Sequence, residues 1–152
     1  MSLPDTPRST KTLVVGLGNV LLKDDGVGVQ AVRELRRLLP KRIVVAEVGT
    51  AVLDALHLFE WADRVIAIDA MQAGGEPGTI YSFGLDEIAE SERVSLHEVG
   101  LRAAFRFLRG PLPGVTILAV EPEDMDTGLE LSPRVQAALP KLIQEAQRLT
   151  EA

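Results

Sequence analysis

The sequence contains no cysteine and little histidine, and both shortages restrict its chemistry. Without cysteine there can be no disulfide, no thiolate metal ligand and no cysteine nucleophile. Any metal ion must then be bound by oxygen atoms and imidazole. His57 and His97 are the only two histidines in 152 residues, so a site that needs imidazole has two candidates.

Long apolar runs and an excess of positive charge are also missing. No segment approaches the roughly 18 apolar residues of a membrane span, and residues 1–10 lack the apolar centre of a secretory signal. A net charge of −6 disfavours nucleic acid, because phosphates would be repelled. We therefore expect a cytoplasmic protein without membrane or nucleic-acid partners. We also expect a monomer, with a flexible tail over residues 1–10 and one α/β domain over residues 11–152.

The first chemistry-bearing stretch is a strand that leads through a glycine turn into a helix. Leu13–Val15 is a short apolar run that ends at glycine, and a pattern of helical period begins at about Val27. Two adjacent carboxylates, Asp24 and Asp25, lie at the mouth of that helix. Strands are predicted at residues 42–48 and 64–69, with a helix over residues 51–61 between them, which is the alternation of an α/β fold.

The alternation changes after the third strand. Residues 71–77 are glycine-rich and too few to hold a crossover helix, so the next strand, residues 78–83, should be antiparallel to the others. A helix is predicted from a cap at Ser95 through Leu108, and a fifth strand over residues 115–120. An acidic loop follows, and Ser132 and Pro133 open the last helix in the usual order of cap and proline.

Three of these residues could meet at one edge of the sheet. Asp25 follows the first strand, Asp69 ends the third, and ligands of α/β proteins collect at the carboxyl ends of strands. His97 begins a helix that can return to the same edge. Two carboxylates and one imidazole form a three-ligand site with an open position, which suits zinc or nickel and hydrolysis by an activated water. Helical phase predicts that Asp25 points inward and Asp24 nearer to solvent.

Simpler interpretations exist for each residue. Asp25 could be a helix-capping acid, Asp69 a solvated strand end, His97 a structural histidine, and His57 a packing or surface residue.

A dinucleotide site is disfavoured although GLGNVL begins like a G-x-G-x-x-G motif and Glu47 ends the second strand. Leu21 stands where the third glycine should be. Asp24 and Asp25 would also repel a pyrophosphate at the helix mouth.

Four segments together resemble one known family. GLGNVLLKDDGVG, the strand-end Asp69, SLHEVGL around His97 and EPEDMDTGLELSP are similar, in order and spacing, to the hydrogenase maturation endopeptidases. That family removes a C-terminal peptide from the large subunit of nickel-iron hydrogenases. The resemblance implies a three-layer α/β/α sandwich with a five-stranded, mostly parallel sheet of order 2-1-3-5-4 and an antiparallel fourth strand. It also implies Asp25, Asp69 and His97 as metal ligands and catalytic residues.

The resemblance further implies that the large-subunit precursor is the partner and supplies the nickel. The resting enzyme would then be metal-free, with zinc or cadmium able to substitute. Glu47, Gly49 and Thr50 match a family loop that could position the scissile segment. The general base stays open among Asp24, Glu47 and Glu98, and a non-catalytic nickel-binding or chaperone-like module is the alternative function.

Overall fold

The computed structural model describes residues 9–90 and 96–152. They form five strands and four α-helices, namely β1 (Thr12–Leu17), α1 (Val27–Leu38), β2 (Val44–Gly49), α2 (Leu56–Trp61), β3 (Arg64–Ala70), β4 (Ile80–Gly84), α3 (Leu96–Phe105), β5 (Gly114–Val120) and α4 (Pro133–Glu151). The described residues also form three 3₁₀ turns. One precedes α1 (Lys23–Gly26), one precedes α2 (Val52–Ala55) and one follows β4 (Leu85–Glu90). We call Lys23–Gly26 the acidic turn.

The five strands form one sheet of order β2-β1-β3-β5-β4. β1 pairs in parallel with β2 and β3, and β3 pairs in parallel with β5. β4 pairs antiparallel with β5, because the connection over residues 71–79 contains no helix that could return the chain to the other end. The predicted order and the antiparallel fourth strand are both confirmed.

Helices cover both faces of the sheet, and alternate residues of β1 divide between them. Leu13 packs in a cluster with Phe59 of α2 and Phe105 of α3, whose rings meet edge to face at 5.2 Å. Val14 packs in a second cluster with α1 and α4, which contributes Leu142. Both faces of β1 are therefore buried, and the molecule has the three layers expected of the α/β/α sandwich.

Several predicted element ends differ from the structure. The helix predicted over residues 51–61 begins as a 3₁₀ turn and becomes α-helical only at Leu56. α3 ends at Phe105, earlier than the predicted Leu108. The predicted cap Ser95 and residues 1–8 of the predicted tail lie outside the described residues. Within the described part of the chain, no helix combines the length and apolar character that crossing a membrane would require.

A close backbone contact brings the start of α1 onto the sheet. A Cβ atom added to Gly28 would lie 2.0 Å from the carbonyl oxygen of Ile68 and 2.8 Å from that of Leu17. Only glycine lets the helix approach the carboxyl ends of β1 and β3 so closely. That approach places the acidic turn beside the end of β3.

We expect Gly28→Ala to lower the free energy of unfolding by roughly 3 kcal/mol or more, because the added methyl group meets rigid backbone. Urea denaturation measures this change. Gly100→Ala is the matched control, because a Cβ at Gly100 in α3 meets nothing within 4 Å. The control should be neutral or stabilising by up to about 1 kcal/mol, and equal stability of the two variants would contradict the packing argument.

Candidate functional site

Asp25, Asp69 and His97 meet at the carboxyl edge of the sheet. The Nδ1 atom of His97 lies 3.0 Å from each carboxylate oxygen of Asp69. Its Nε2 atom lies 3.5 Å from Oδ2 of Asp25. The imidazole of α3 therefore stands between a carboxylate from the end of β3 and a carboxylate from the acidic turn.

The three side chains differ in their access to water. Asp69 is fully buried, whereas the side chains of Asp25 and His97 are 14% and 18% exposed. The pKa of Asp69 is raised, first by its burial; the hydrogen bond and charge of His97 and the amide of Ala70 oppose this increase, and the charge of Asp25 adds to it. The site thus has a buried floor at Asp69 and a solvent-accessible mouth at Asp25 and His97.

The glycine motif after β1 shapes the turn that holds Asp25. Gly18 has a φ of +106°, and a Cβ there would lie 1.9 Å from the backbone oxygen of Asp25. The next amide, of Asn19, donates a 2.8 Å hydrogen bond to Oδ2 of Asp25. Gly18 thus brings its own backbone against that of Asp25, and the fold gives no support to the dinucleotide interpretation of GLGNVL.

The predicted orientation of Asp24 is wrong. We expected Asp24 to point nearer to solvent, but it is fully buried, and Asp25 is the partly exposed member of the pair. Helical phase failed because residues 23–26 form a 3₁₀ turn and α1 begins only at Val27. A prediction from 3.6-residue periodicity cannot be extended through such a turn.

The carboxylate of Asp24 is bound by the loop over residues 121–132, which we call the β5–α4 loop. The amides of Glu123 and Asp124 each donate to Oδ2 at 2.9 Å. Ser132 donates twice, from its amide to Oδ1 and from its hydroxyl to Oδ2, both at 2.7 Å. Ser132 is the N-cap residue of α4 as predicted, but among the described residues its hydroxyl makes no capping bond.

Glu121 is a structural carboxylate that the sequence interpretation missed. It is 5% exposed, and its Oε1 accepts hydrogen bonds from the amides of Ala73 and Gly75 and from the hydroxyl of Tyr81 at 2.8–2.9 Å. The residue therefore fixes the glycine-rich connection that follows Asp69. Its position directly after the buried strand β5, comparable to that of Asp69 near the end of β3, was the signal that could have identified it.

The remaining predicted residues lie in different surroundings. Glu47 is paired with two arginines of α1, at 2.7 Å from Arg33 and 3.6 Å from Arg36. Gly49 has a φ of +61°, and its carbonyl accepts the amide of Gly18 at 3.1 Å.

Two of the three other candidates lie at the surface. Thr50 is exposed, and His57 is exposed on α2, in agreement with the surface interpretation. The side chain of Glu98 lies outside the part of the chain that the structure describes.

Comparisons with known proteins identify the family of this chain. The family model for HycI, hydrogenase maturation protease, matches residues 29–149. The hydrogenase 2 maturation protease of Escherichia coli strain K12 is 32% identical over 143 residues, which cover 89% of this chain and 87% of that protein. The chain belongs to the hydrogenase maturation protease family.

Other relatives support the same assignment. HupD, a hydrogenase expression/formation protein of Bradyrhizobium diazoefficiens, is 32% identical over 88% of this chain and 74% of its own length. Two solved structures are also similar. The maturating endopeptidase HybD of E. coli has a TM-score of 0.83 and 28% identity over 93% of this chain and 92% of its own. The maturation protease HybD of Thermococcus kodakarensis has a TM-score of 0.80 and 28% identity over 91% and 98%. This member of the family is a hydrolase of the endopeptidase class.

The donor types of the protease fit nickel or zinc, but their present arrangement is not a ready metal site. Within residues 9–90 and 96–152, no group of three His, Asp or Glu side chains is placed so that it could hold a metal ion. The geometry gives the reason, because the ring of His97 stands between the two carboxylates and directs one nitrogen at each. All three could bind one cation only if the ring moved out of that gap. The metal roles of Asp25, Asp69 and His97 stay predictions.

The raised pKa of Asp69 predicts a specific dependence of stability on pH. The pKa of Asp69 in the folded state lies above the unfolded value of about 3.9. Ionisation of Asp69 therefore lowers the free energy of unfolding, and this loss develops as the pH rises from the unfolded-state pKa through the folded-state pKa. We expect Asp69→Asn, which cannot ionise, to gain stability relative to the wild-type protein from about pH 4 upward. Urea unfolding of both proteins with chelator, from about pH 4 to about pH 8, measures the difference. A difference that does not change with pH would contradict the prediction.

Proposed function

We propose that the chain removes a C-terminal extension from the nickel-loaded precursor of a nickel-iron hydrogenase large subunit. Membership of the maturation protease family supports a peptidase for hydrogenase. The observation that supports the site is the contact of His97 with Asp69 and Asp25 at 3.0 and 3.5 Å. The enzyme would act in the cytoplasm as a monomer.

In this proposal nickel is part of the substrate. An empty precursor brings no cation to an acidic crevice, so the nickel would act as the recognition element and cleavage as a check that the metal is installed. Asp25 and His97 face the mouth and would meet the nickel first, whereas Asp69 would bind it from the floor of the site once the His97 ring had left the gap between the two carboxylates. A bound divalent cation can polarise a peptide carbonyl and activate a water. Zinc or cadmium could occupy the same donors.

We infer that two of the three candidates for the general base are poorly suited to that role. Asp24 is fully buried, and its two oxygens already accept four hydrogen bonds. Glu47 is held by Arg33 and Arg36 on α1. Neither carboxylate is therefore a good candidate to take a proton from water at the Asp25–Asp69–His97 site.

We expect Asp25→Asn, Asp69→Asn and His97→Ala each to slow cleavage of the nickel-loaded precursor by at least about 100-fold, because each removes a charged or basic group from the site. Mass spectrometry of the processed subunit measures cleavage, and circular dichroism checks the fold. His57→Ala and Asp54→Asn are the matched controls, because both residues are exposed, His57 in α2 and Asp54 in the 3₁₀ turn that precedes it. Glu47→Gln should also retain activity. Unimpaired cleavage by any two of the three site variants would overturn the assignment.

The same assay separates a peptidase from a non-catalytic nickel-binding module. A peptidase shortens the loaded precursor and leaves the nickel-free precursor intact. A non-catalytic nickel-binding module would bind the loaded precursor and release it uncut.

A further inference from the structure

We propose that Asp24 is a positioning residue, whose buried carboxylate joins the acidic turn to the β5–α4 loop and thereby sets Asp25 against His97. The inference rests on the proposed function, because positioning matters only if Asp25 acts on the substrate. Asp24 is fully buried, and among the described residues its carboxylate accepts hydrogen bonds from Glu123, Asp124 and Ser132.

The side chains of Lys23 and Asp24 both contact the β5–α4 loop, whereas that of Asp25 faces the site. The Nζ atom of Lys23 lies 2.8 Å from Oδ2 of Asp124. The carboxylate of Asp24 accepts its hydrogen bonds from the β5–α4 loop. The carboxylate of Asp25 accepts the amide of Asn19 and faces His97. The turn is thus fixed on one side by the loop and presents Asp25 on the other.

The backbone of the acidic turn is also held by this loop. The amide of Lys23 donates to Gly128 and the amide of Asp24 donates to Asp124, both at 3.0 Å. Lys23 has a φ of +46°, the only positive value at a non-glycine residue in the described part of the chain. Such a conformation persists where surrounding contacts enforce it. Here those contacts come from the β5–α4 loop.

A loss of these contacts should affect Asp25 more than the rest of the site. Asp25 is the next residue, so a change of the Asp24 backbone is passed directly through the planar peptide bond. Asp69 lies in β3, which is paired with β5 along its whole length. Its position does not depend on the β5–α4 loop in the same way.

Two variants test the link at different strengths. Asp24→Asn replaces one acceptor oxygen by an NH₂ group, which would face donors. Ser132→Ala removes only the hydroxyl that donates to Asp24. Among the described residues this hydroxyl makes no capping bond to α4, so the variant costs the helix no such bond. Ser132→Thr keeps a hydroxyl and is the conservative counterpart.

Leu142→Ala is the control for a general loss of stability. Leu142 is fully buried in α4, ten residues after Ser132 and thus about 15 Å along the helix. Its removal should destabilise the core by leaving a cavity. All proteins are compared at a temperature at which thermal unfolding shows each variant to be folded.

The first measurement is single-turnover cleavage of the nickel-loaded precursor over a range of enzyme concentrations. We expect Asp24→Asn to reduce the maximal rate constant by about 100-fold, as for a misplaced catalytic group, with a smaller change in the half-saturating concentration. Ser132→Ala should be intermediate, and Ser132→Thr and Leu142→Ala should resemble the wild-type protein. A maximal rate for Asp24→Asn equal to that of Leu142→Ala would overturn the inference. If Asp24→Asn does not fold, Ser132→Ala is compared with Ser132→Thr. Equal maximal rate constants for these two variants would then overturn the inference.

The second measurement does not depend on proteolysis. In a ¹⁵N-histidine sample without metal, we expect the Nε2 resonance of His97 to shift in Asp24→Asn in the same direction as in Asp25→Asn, and not in Leu142→Ala. An unchanged resonance in Asp24→Asn would overturn the inference. A wild-type protein that fails to cleave would instead overturn the proposed function, and the resonance would still show whether Asp24 positions Asp25.

Discussion

A carboxylate taken out of water must receive hydrogen-bond donors from the protein, and this requirement organises the carboxyl edge of the sheet. Asp24 receives its donors from the β5–α4 loop. Glu121 receives them from the connection between β3 and β4. Asp69 receives the amide of Ala70 and the imidazole of His97. Two buried acids thus hold loops in place, and the third holds the histidine of the site.

The same edge depends on backbone atoms that approach without side chains between them. Gly28 permits α1 to begin on the ends of β1 and β3, and Gly18 permits the turn to close over Asp25. In a dinucleotide-binding protein, comparable glycines leave room for a phosphate. Here protein backbone fills that space, and carboxylates occupy the mouth of the helix. The sequence pattern therefore does not indicate an anion-binding site here, and a cation site stays a prediction.

The sequence predicted the fold well because the fold follows from local patterns and from the lengths of connections. Apolar runs such as Val65–Ile68 indicated buried strands, and the short connection after β3 indicated an antiparallel β4. The resemblance to the maturation endopeptidases supplied the sheet order, which periodicity alone does not determine. The meeting of Asp25 and Asp69 followed from parallel strands that end at one edge.

The sequence by itself determined which residue types were available for chemistry: no thiol, two histidines, and acids near the ends of strands or before a helix. Only the tertiary structure decided which acid of the Asp24–Asp25 pair is buried, because a 3₁₀ turn rotates side chains differently from an α-helix. It also decided the roles of Glu121 and Ser132, whose partners lie 40–108 residues away in the chain. Hydrogen bonds over such separations leave no period in a sequence, since the distant loop that closes them is defined only when the whole sheet is assembled.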